Sequence, residues 1–451
     1  MIANRPELER TAAHRLALNC IESAIDAAAP EQATRAAVSV EGTRLTVDGD
    51  RYDLADHEEV VIVGGGKAAL GVTAALESML GNHLSDGCIV TAGPGDLDAV
   101  RATAGDHPVP TDRNVAATDE LLELLAAADA DTLVFVVVTG GASALLAAPA
   151  GDLTLTDLRE TTDALLASGA PITEINAVRK HLSATKGGQL ARAAAPATVV
   201  GLALSDVVGN DLSVVGSGPT VPDDTTYADA LAVLDRYDMS VPEGVRTHLE
   251  AGAQGRRPET PAATDSTFER VRTVCLGTNG TALEEAIETA AEAGYETLRL
   301  TSRLRGEARH VGTVLCSVAE SIAADGEPIE PPAVVVAGGE TTVTVDGAAG
   351  RGGPNQELAL AAALDLTGSA VLAAVDTDGE DGSSDAAGAI VDAETTADTA
   401  RPSDCLDAHD AGIALAAADA TIRTGPTGTN VNDVVVLVVP AEGSNGRKYE
   451  I

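Results

Sequence analysis

Lys67 sits inside a glycine turn, Gly64-Gly65-Gly66-Lys67-Ala68-Ala69, that follows the apolar run 60–63. A cation in an open turn at the start of a helix stands where backbone N–H groups and the helix dipole already favour negative charge. The motif therefore reads as a cradle for phosphate or carboxylate. A second such turn, Thr139-Gly140-Gly141-Ala142-Ser143, follows the apolar run 132–138. No GxSxG elbow surrounds Ser143, which makes it a hydrogen-bonding hydroxyl among backbone amides rather than a nucleophile. The densest basic cluster, Arg179, Lys180, His181 and Lys186, falls within 174–188. It reads as a solvated helix face or as recognition of an anionic substrate or nucleotide phosphates. A third apolar run, 199–204, ends on Ser205-Asp206 and opens a turn-rich stretch through Gly209-Asn210-Asp211 to Gly216-Ser217-Gly218. Ligands of open α/β sheets bind beyond the carboxyl ends of strands, so this stretch reads as one wall of an active site.

The second half repeats the pattern in Gly338-Gly339-Glu340-Thr341-Thr342, in Gly350-Arg351-Gly352-Gly353-Pro354-Asn355 and in Asp376-Thr377-Asp378-Gly379-Glu380-Asp381-Gly382. The last imitates part of an EF-hand loop but lacks the terminal Glu and the incoming helix. Asp378 and Asp381 read as Mg²⁺ ligands or as solvated turn carboxylates. No His-based triad appears, and the five cysteines are scattered without a metal-binding spacing. Backbone amides and fixed charges that bind anions are what phosphoryl transfer needs, because its catalysis is mostly positioning and electrostatics.

Two competing motifs are weaker. Gly64, Gly66 and Ala69 match GxGxxA, with Asp86 twenty residues beyond Gly66, the outline of a dinucleotide site. A Walker A loop fails because Ala68 follows the lysine where Ser or Thr should ligate Mg²⁺. His107, in Asp106-His107-Pro108-Val109-Pro110, reads as structural, since a flanking proline fixes its backbone.

The elements that must position these residues follow from hydropathy. Apolar strands are expected at 60–63, 88–91, 132–138 and 199–204, alternating with helices that include 118–127 and 156–168. That alternation builds βαβ units and a parallel sheet. A helix is expected over 8–30, closed by Pro30, and a hairpin over 38–52. The polar, Pro/Gly/Thr-rich segment 251–267 places a boundary between domains 1–255 and 268–451. Beyond it, strands at 271–276, 297–301, 333–336, 371–375 and 434–439 accompany helices at 306–323 and 358–366.

Composition limits the partners. With 45% hydrophobic but only 2% aromatic residues and no Trp, the cores must be Ala, Val, Leu and Gly. The net charge of -40 repels nucleic acid and anionic membranes, which excludes both as partners. Only four of the 29 basic residues are lysines, Lys67, Lys180, Lys186 and Lys448. An acid-rich, lysine-poor chain suits a cytoplasm at high salt, where the Debye length shrinks to roughly 3 Å. The uncharged stretch 132–151 is interrupted by Gly140-Gly141 and Pro149 and reads as strand, turn and helix rather than a membrane span. With no signal peptide visible, the expected location is cytoplasmic.

Taken as a set, the motifs resemble the class II glycerate kinases, the glycerate 2-kinase family whose C-terminal half is called MOFRL. The matching stretches are GGGKAAL (64–70), DHPVP (106–110), TGGASALL (139–146), INAVRKHLSATKGG (175–188), LSDVVGNDLSVVGSGPTVPD (204–223), GGETTV (338–343), GRGGPNQELAL (350–360), DTDGEDGSSDAAGAIVD (376–392) and TGPTGTNVND (424–433). The resemblance implies a two-domain α/β enzyme, a Rossmann-like parallel-sheet domain and a MOFRL-type α/β domain, with the site in the cleft between them. It implies transfer of the γ-phosphoryl of ATP to the 2-hydroxyl of D-glycerate with Mg²⁺; a homodimer is left open, because the sequence does not fix the oligomeric state. An NAD(P)H-dependent hydroxypyruvate reductase is the alternative that related sequences carry.

Catalytic weight falls by resemblance on Lys67 and on an arginine of the C-terminal glycine motif. Many members read GGRN there; this chain has Pro354 at the arginine position, and Arg351 is the carrier at hand. The roles expected are charge neutralisation by Lys67 and Arg351, and orientation of the hydroxyl or Mg²⁺ by Asp206. Arg179, Lys180, Lys186, Ser143 and Asn210 are expected on substrate or phosphate. The turns at Gly65, Gly66, Gly140, Gly141, Gly339, Glu340 and Asn355 are expected on nucleotide, with Asp378 and Asp381 as further metal ligands.

Overall fold

The computed structural model describes residues 1–345, 347, 350–397 and 401–441, so Lys448 lies outside the described residues. The chain divides into two compact units, 30–276 and 1–29 together with 277–451.

The first unit is built on a six-stranded sheet in the order Arg101–Ala104, Asp86–Thr91, Glu59–Gly65, Thr132–Val138, Thr198–Leu204, Val271–Gly277. The first five pair in parallel. Thr132–Val138 is buried at every position, as a β-branched run covered on both faces must be. Numbered along the chain, the strands run 3-2-1-4-5-6, so the winding reverses between Glu59–Gly65 and Thr132–Val138. The crevice beyond their carboxyl ends is the topological switch point. Val61, Val63, Val134 and Val136 meet Leu121, Leu125 and Leu145 in the core below it. Four helices, Leu155–Ala167, Ile172–His181, Tyr227–Arg236 and Glu243–Ala253, pack around a smaller core of Leu165, Val178, Leu234 and Leu249.

The second unit carries a mixed sheet in the order Glu296–Leu304, Ala333–Gly339, Asp433–Val439, Val371–Asp376, Gly388–Asp392, Thr421–Ile422. Only Glu296–Leu304 and Ala333–Gly339 pair in parallel; the later pairs are antiparallel. Val335, Ala337, Leu372, Val435 and Leu437 face a cluster contributed by the helices Ala308–Asp325, Pro354–Asp365 and Ala411–Ala417. The alternate residues Val334, Val336 and Val436 are just as buried, and the helices Ala12–Ala27 and Asn279–Glu292 pack on each other and on these strands.

Several elements differ from the sequence reading. The helix expected over 8–30 is Ala12–Ala27, and Pro30, expected only as its stop, also opens a further helix, Pro30–Ala37. The first helical position needs no N–H, so proline suits it. The predicted hairpin is a three-stranded antiparallel sheet, Val38–Glu41, Arg44–Val47 and Asp50–Asp53. The helix Glu243–Ala253 runs into the stretch read as loop. Val271–Gly277 is the edge strand of the first sheet. The N-terminal helix instead buries Leu16, Ile21 and Ile25 in the second unit, since an amphipathic helix goes where its apolar face is covered.

Candidate active site

Lys67 and the second glycine turn meet at the switch point. Lys67 N–H donates to the Gly140 carbonyl at 2.8 Å, and Thr139 N–H donates to the Gly65 carbonyl at 3.2 Å. Thr139 Oγ1 accepts from Ala68 N–H at 3.1 Å. Only glycine fits at Gly66, whose φ is +137° and where a Cβ would fall 2.1 Å from that hydroxyl. Gly140 is excluded from carrying a side chain by Asp206, since a Cβ there would lie 2.4 Å from Oδ2. Beside it, a Cβ on Gly141 would lie 3.3 Å from Lys67 Cγ and 3.1 Å from His107 Cδ2. Lys67, Asp206 and His107 therefore gather around Gly140-Gly141, with Lys67 exposed. Burial raises the Asp206 carboxyl above its ordinary value, against the pull of Lys67. Desolvation and the Lys67 charge hold His107 below its own. The crevice thus pairs a solvent-facing cation with two groups able to take up or pass a proton.

Next to it lies a cavity of about 180 Å³ lined by Ser143, Arg179 and Lys186, with a wall that includes Pro108, Leu158 and Leu182. Arg179 Nη2 donates to Ser143 Oγ at 2.7 Å. Ser217 donates to Asn176 Oδ1 at 3.2 Å, so Ser143 is left to donate to Ser217 Oγ at 2.8 Å. Ser143 is thereby a link that fixes Arg179 over the cavity. Burial, then the Arg179 charge, pushes the Lys186 ammonium down to about 7. A half-buried guanidinium and a buried ammonium lining one cavity are stabilised by an anion, which would return the charge that desolvation disfavours.

Lys180 points elsewhere. One residue along the helix Ile172–His181 turns its side chain away from that of Arg179, and Lys180 Nζ ends 3.1 Å from Asp223 Oδ1 in a buried ion pair. Asp223 also accepts from Thr225 and Thr260. Lys180 thus ties the helix to the end of the loop 205–223. Asn210 lies on that loop in a left-handed conformation, φ 57°, with its N–H on the Val207 carbonyl.

In the second unit, Gly339 ends its strand at φ +144°, and Glu340 N–H donates to the Leu304 carbonyl. Asp381 caps the helix Pro354–Asp365: Oδ1 accepts from Asn355 N–H at 3.0 Å and Oδ2 from Gln356 N–H at 2.8 Å. Pro354 is the first residue of that helix, where its missing N–H costs nothing. Asn355 Nδ2 joins Asp381 to Asp433, donating to Asp433 Oδ1 at 2.7 Å. Burial raises Asp381 to about 6 and Asp433 to about 7. Asp376 rises to about 8 through burial, then the charges of Asp378 and Asp433. Asp378 accepts from Glu380 N–H and Asn430 Nδ2. Arg351 is 61% exposed and pairs with Asp385 at 3.1 Å. Among the described residues, no group of three or more His, Cys, Asp or Glu is arranged to hold a metal ion, and no helix is long and apolar enough to cross a membrane.

The dinucleotide outline does not survive the fold. The acidic residue of that site must stand at the carboxyl end of the second strand, beside the glycine turn. Asp86 is instead the first residue of Asp86–Thr91, five residues or roughly 16 Å from that end. Asn176, Ser217 and His107 are the site residues that the sequence reading left out or set aside. Asn176 carries a readable signal, since it lies three residues before Arg179 and shares its helix face. Ser217 and His107 lie in stretches that the sequence singled out, but only long-range packing brings them to Ser143 and to Gly141.

Residues 16–250 match a family described as a domain of unknown function, DUF4147, and residues 333–433 match the MOFRL family. A glycerate 2-kinase of Pyrococcus horikoshii is 39% identical, covering 95% of this chain and 97% of its own length. A protein of Agrobacterium vitis with a provisional hydroxypyruvate reductase name is 41% identical, covering 84% of this chain and 87% of its own. The crystal structure of a glycerate kinase from Thermotoga maritima is 35% identical with a TM-score of 0.84, covering 94% of this chain and 99% of that one.

Proposed function

The chain belongs to the glycerate kinase family, and on that premise we propose that it moves the γ-phosphoryl group of ATP to the 2-hydroxyl of D-glycerate, giving ADP and 2-phosphoglycerate. The observation that carries this reading is Lys67, exposed at the switch point between two interlocked glycine turns, with Asp206 against Gly140. Lys67 neutralises charge on the transferring group, and the open backbone of the turns lets phosphate oxygens approach closely. Asp206, whose burial favours a bound proton, orients the glycerate hydroxyl and takes its proton as the new O–P bond forms and the bond to ADP breaks. Arg179 and Lys186 hold the glycerate carboxylate from the cavity floor.

Mg²⁺ is the expected companion of ATP and, when bound, would supply neutralisation of phosphate charge. The donor chemistry fits: Mg²⁺ keeps most of its waters and needs only one or two carboxylates, so a cluster of three is not required. Asp206, beside Lys67 and the glycine turns, would hold it, whereas both oxygens of Asp378 and of Asp381 already accept hydrogen bonds. The acidic surface sets the working conditions at high salt.

The test is ADP formation from ATP and D-glycerate in molar KCl, coupled through enolase with no phosphoglycerate mutase. Enolase-visible product is expected. Folded protein that forms no ADP, but oxidises NADH with hydroxypyruvate, would overturn the kinase reading in favour of the reductase.

A further inference from the structure

The carboxyl ends of the strands Ala333–Gly339 and Val371–Asp376 flank the amino end of Asp433–Val439, with Asp433 in register with both Gly339 and Asp376. Asp433 is 5% exposed and Asp381 1%. Among the described residues none of Asp376, Asp381 and Asp433 has a Lys, Arg or His within ion-pair distance; the ion pairs nearby go to Glu357 and Asp385. Their partners are neutral amide donors, which satisfy lone pairs without offsetting charge. Buried charges are ordinarily paired or bound to a metal.

A second observation is independent of charge. Asn355 Oδ1, Thr341 Oγ1 and Asn279 Oδ1 are buried oxygens with no hydrogen-bond partner. Their side chains are at least nine-tenths buried, 1%, 3% and 7% exposed. All three residues already grip Asp433 by a donor. Asn355 Nδ2 is 2.7 Å from Oδ1, Thr341 N–H 3.1 Å from Oδ2, and Asn279 Nδ2 2.8 Å from the Asp433 carbonyl. The vacant acceptors of Asn355 and Thr341 thus belong to the two residues that grip this carboxylate, whereas Asn279 holds only the main-chain carbonyls of Val431 and Asp433. Orphaned oxygens beside uncompensated carboxylates call for something positive that takes oxygen ligands.

We propose that the second unit holds a resident hard cation, bound without nucleotide, on the carboxylates of Asp433 and Asp376 and the orphaned oxygens of Asn355 and Thr341. Two carboxylates with neutral oxygens are the ligand chemistry of Ca²⁺, Mg²⁺ or K⁺ rather than of a softer metal. The ion is distinct from one that travels with ATP, and the proposal stands whether or not glycerate is the substrate.

The test is thermal unfolding of the full chain, freed of metal by a chelator and held at constant high ionic strength with tetramethylammonium chloride. Ca²⁺, Mg²⁺ and K⁺ are titrated separately. The wild type is expected to show a saturable rise in Tm of several degrees with one of them, by mass action on the folded state. Asp433→Asn is expected to lose that rise while keeping or raising the cation-free Tm, since a buried charge is removed. A wild-type Tm indifferent to all three ions overturns the proposal, as does an equal rise in Asp433→Asn, which would mark diffuse binding to the acidic surface. Asp376→Asn serves if the first variant does not fold. Equilibrium dialysis with elemental analysis needs no variant: about one retained ion per wild-type chain is expected, and none retained overturns the proposal.

Discussion

The two sheets deliver opposite charges from their strand ends. In the first unit the first five strands pair in parallel, so the turns that follow Glu59–Gly65, Thr132–Val138 and Thr198–Leu204 come to the same edge. That edge gathers Lys67 and, beside it, Arg179 and Lys186. In the second unit Asp433–Val439 runs against both neighbours, so its first residue lies beside their last ones. That reversal brings Asp433 against Asp376, two residues 57 positions apart in sequence. One desolvation penalty acts on both edges with opposite sign, pulling Lys186 down and pushing Asp376, Asp381 and Asp433 up. Strand polarity, more than composition, therefore decides which end of a strand supplies the chemistry.

The largest expected effect separates the two edges by activity. Lys67→Ala should lower kcat by about 10³-fold, with Tm unchanged because the side chain is exposed. Arg351→Ala, whose side chain is already paired with Asp385 at the surface, should cost only about 10-fold, a single charge-assisted contact. Steady-state kinetics on both variants ranks them, and the reverse order would move the catalytic cation to the second unit.

Within the first unit, neighbouring lysines should part company. Lys180→Met leaves Asp223 buried and unpaired and should cost about 3–5 kcal/mol in denaturant unfolding, with much of that returned by adding Asp223→Asn. Full stability in the single variant would remove Lys180 from its structural role. The corresponding test of the second unit is milder. Asp381→Ala removes the cap of the helix Pro354–Asp365 and should cost about 1–2 kcal/mol in the same measurement.

The smallest effect is in pH. Lys186 holds its proton in the folded state only up to about 7, well below a free lysine. An anion on the cavity floor favours the protonated form, so the KM for glycerate should rise as pH passes from 7 toward 9, by at most about 10-fold per unit. Lys186→Met should flatten that rise. Between about 7 and 10.5 the unfolded chain binds more protons than the folded one at this residue, so its contribution to stability increases with pH across the same window. Matching KM–pH profiles for the variant and wild type would detach Lys186 from substrate binding.

Much of the fold was readable because its signals are local. The run 132–138 is apolar and β-branched throughout, and it is a fully buried central strand. The turns holding Lys67 and Ser143 follow strands and precede helices, as the strand–glycine–helix order predicts. The stop before Pro30 was legible, but the helix that Pro30 opens was not, because a proline reads equally as the end of one helix and the start of the next. The grouping of Arg179, Lys180 and Lys186 was visible as a basic cluster. Its division into two cavity cations and one buried ion pair was not, since helix rotation relative to a packed core decides it.

The sequence by itself determined the class of chemistry: glycine turns after apolar strands, a lysine within one of them, and a strongly acidic chain around both. These properties depend on covalent neighbours a few residues apart and survive any arrangement of the strands. Only the tertiary structure decided that Asp206 rests on Gly140 and that Ser217 and Asn176 steady Arg179 through Ser143. It alone turned Asp433 toward Asp376, and it alone set Asp86 at the wrong end of its strand for a dinucleotide. Those outcomes depend on strand order and direction, which the burial of two whole sheets selects and no single segment encodes.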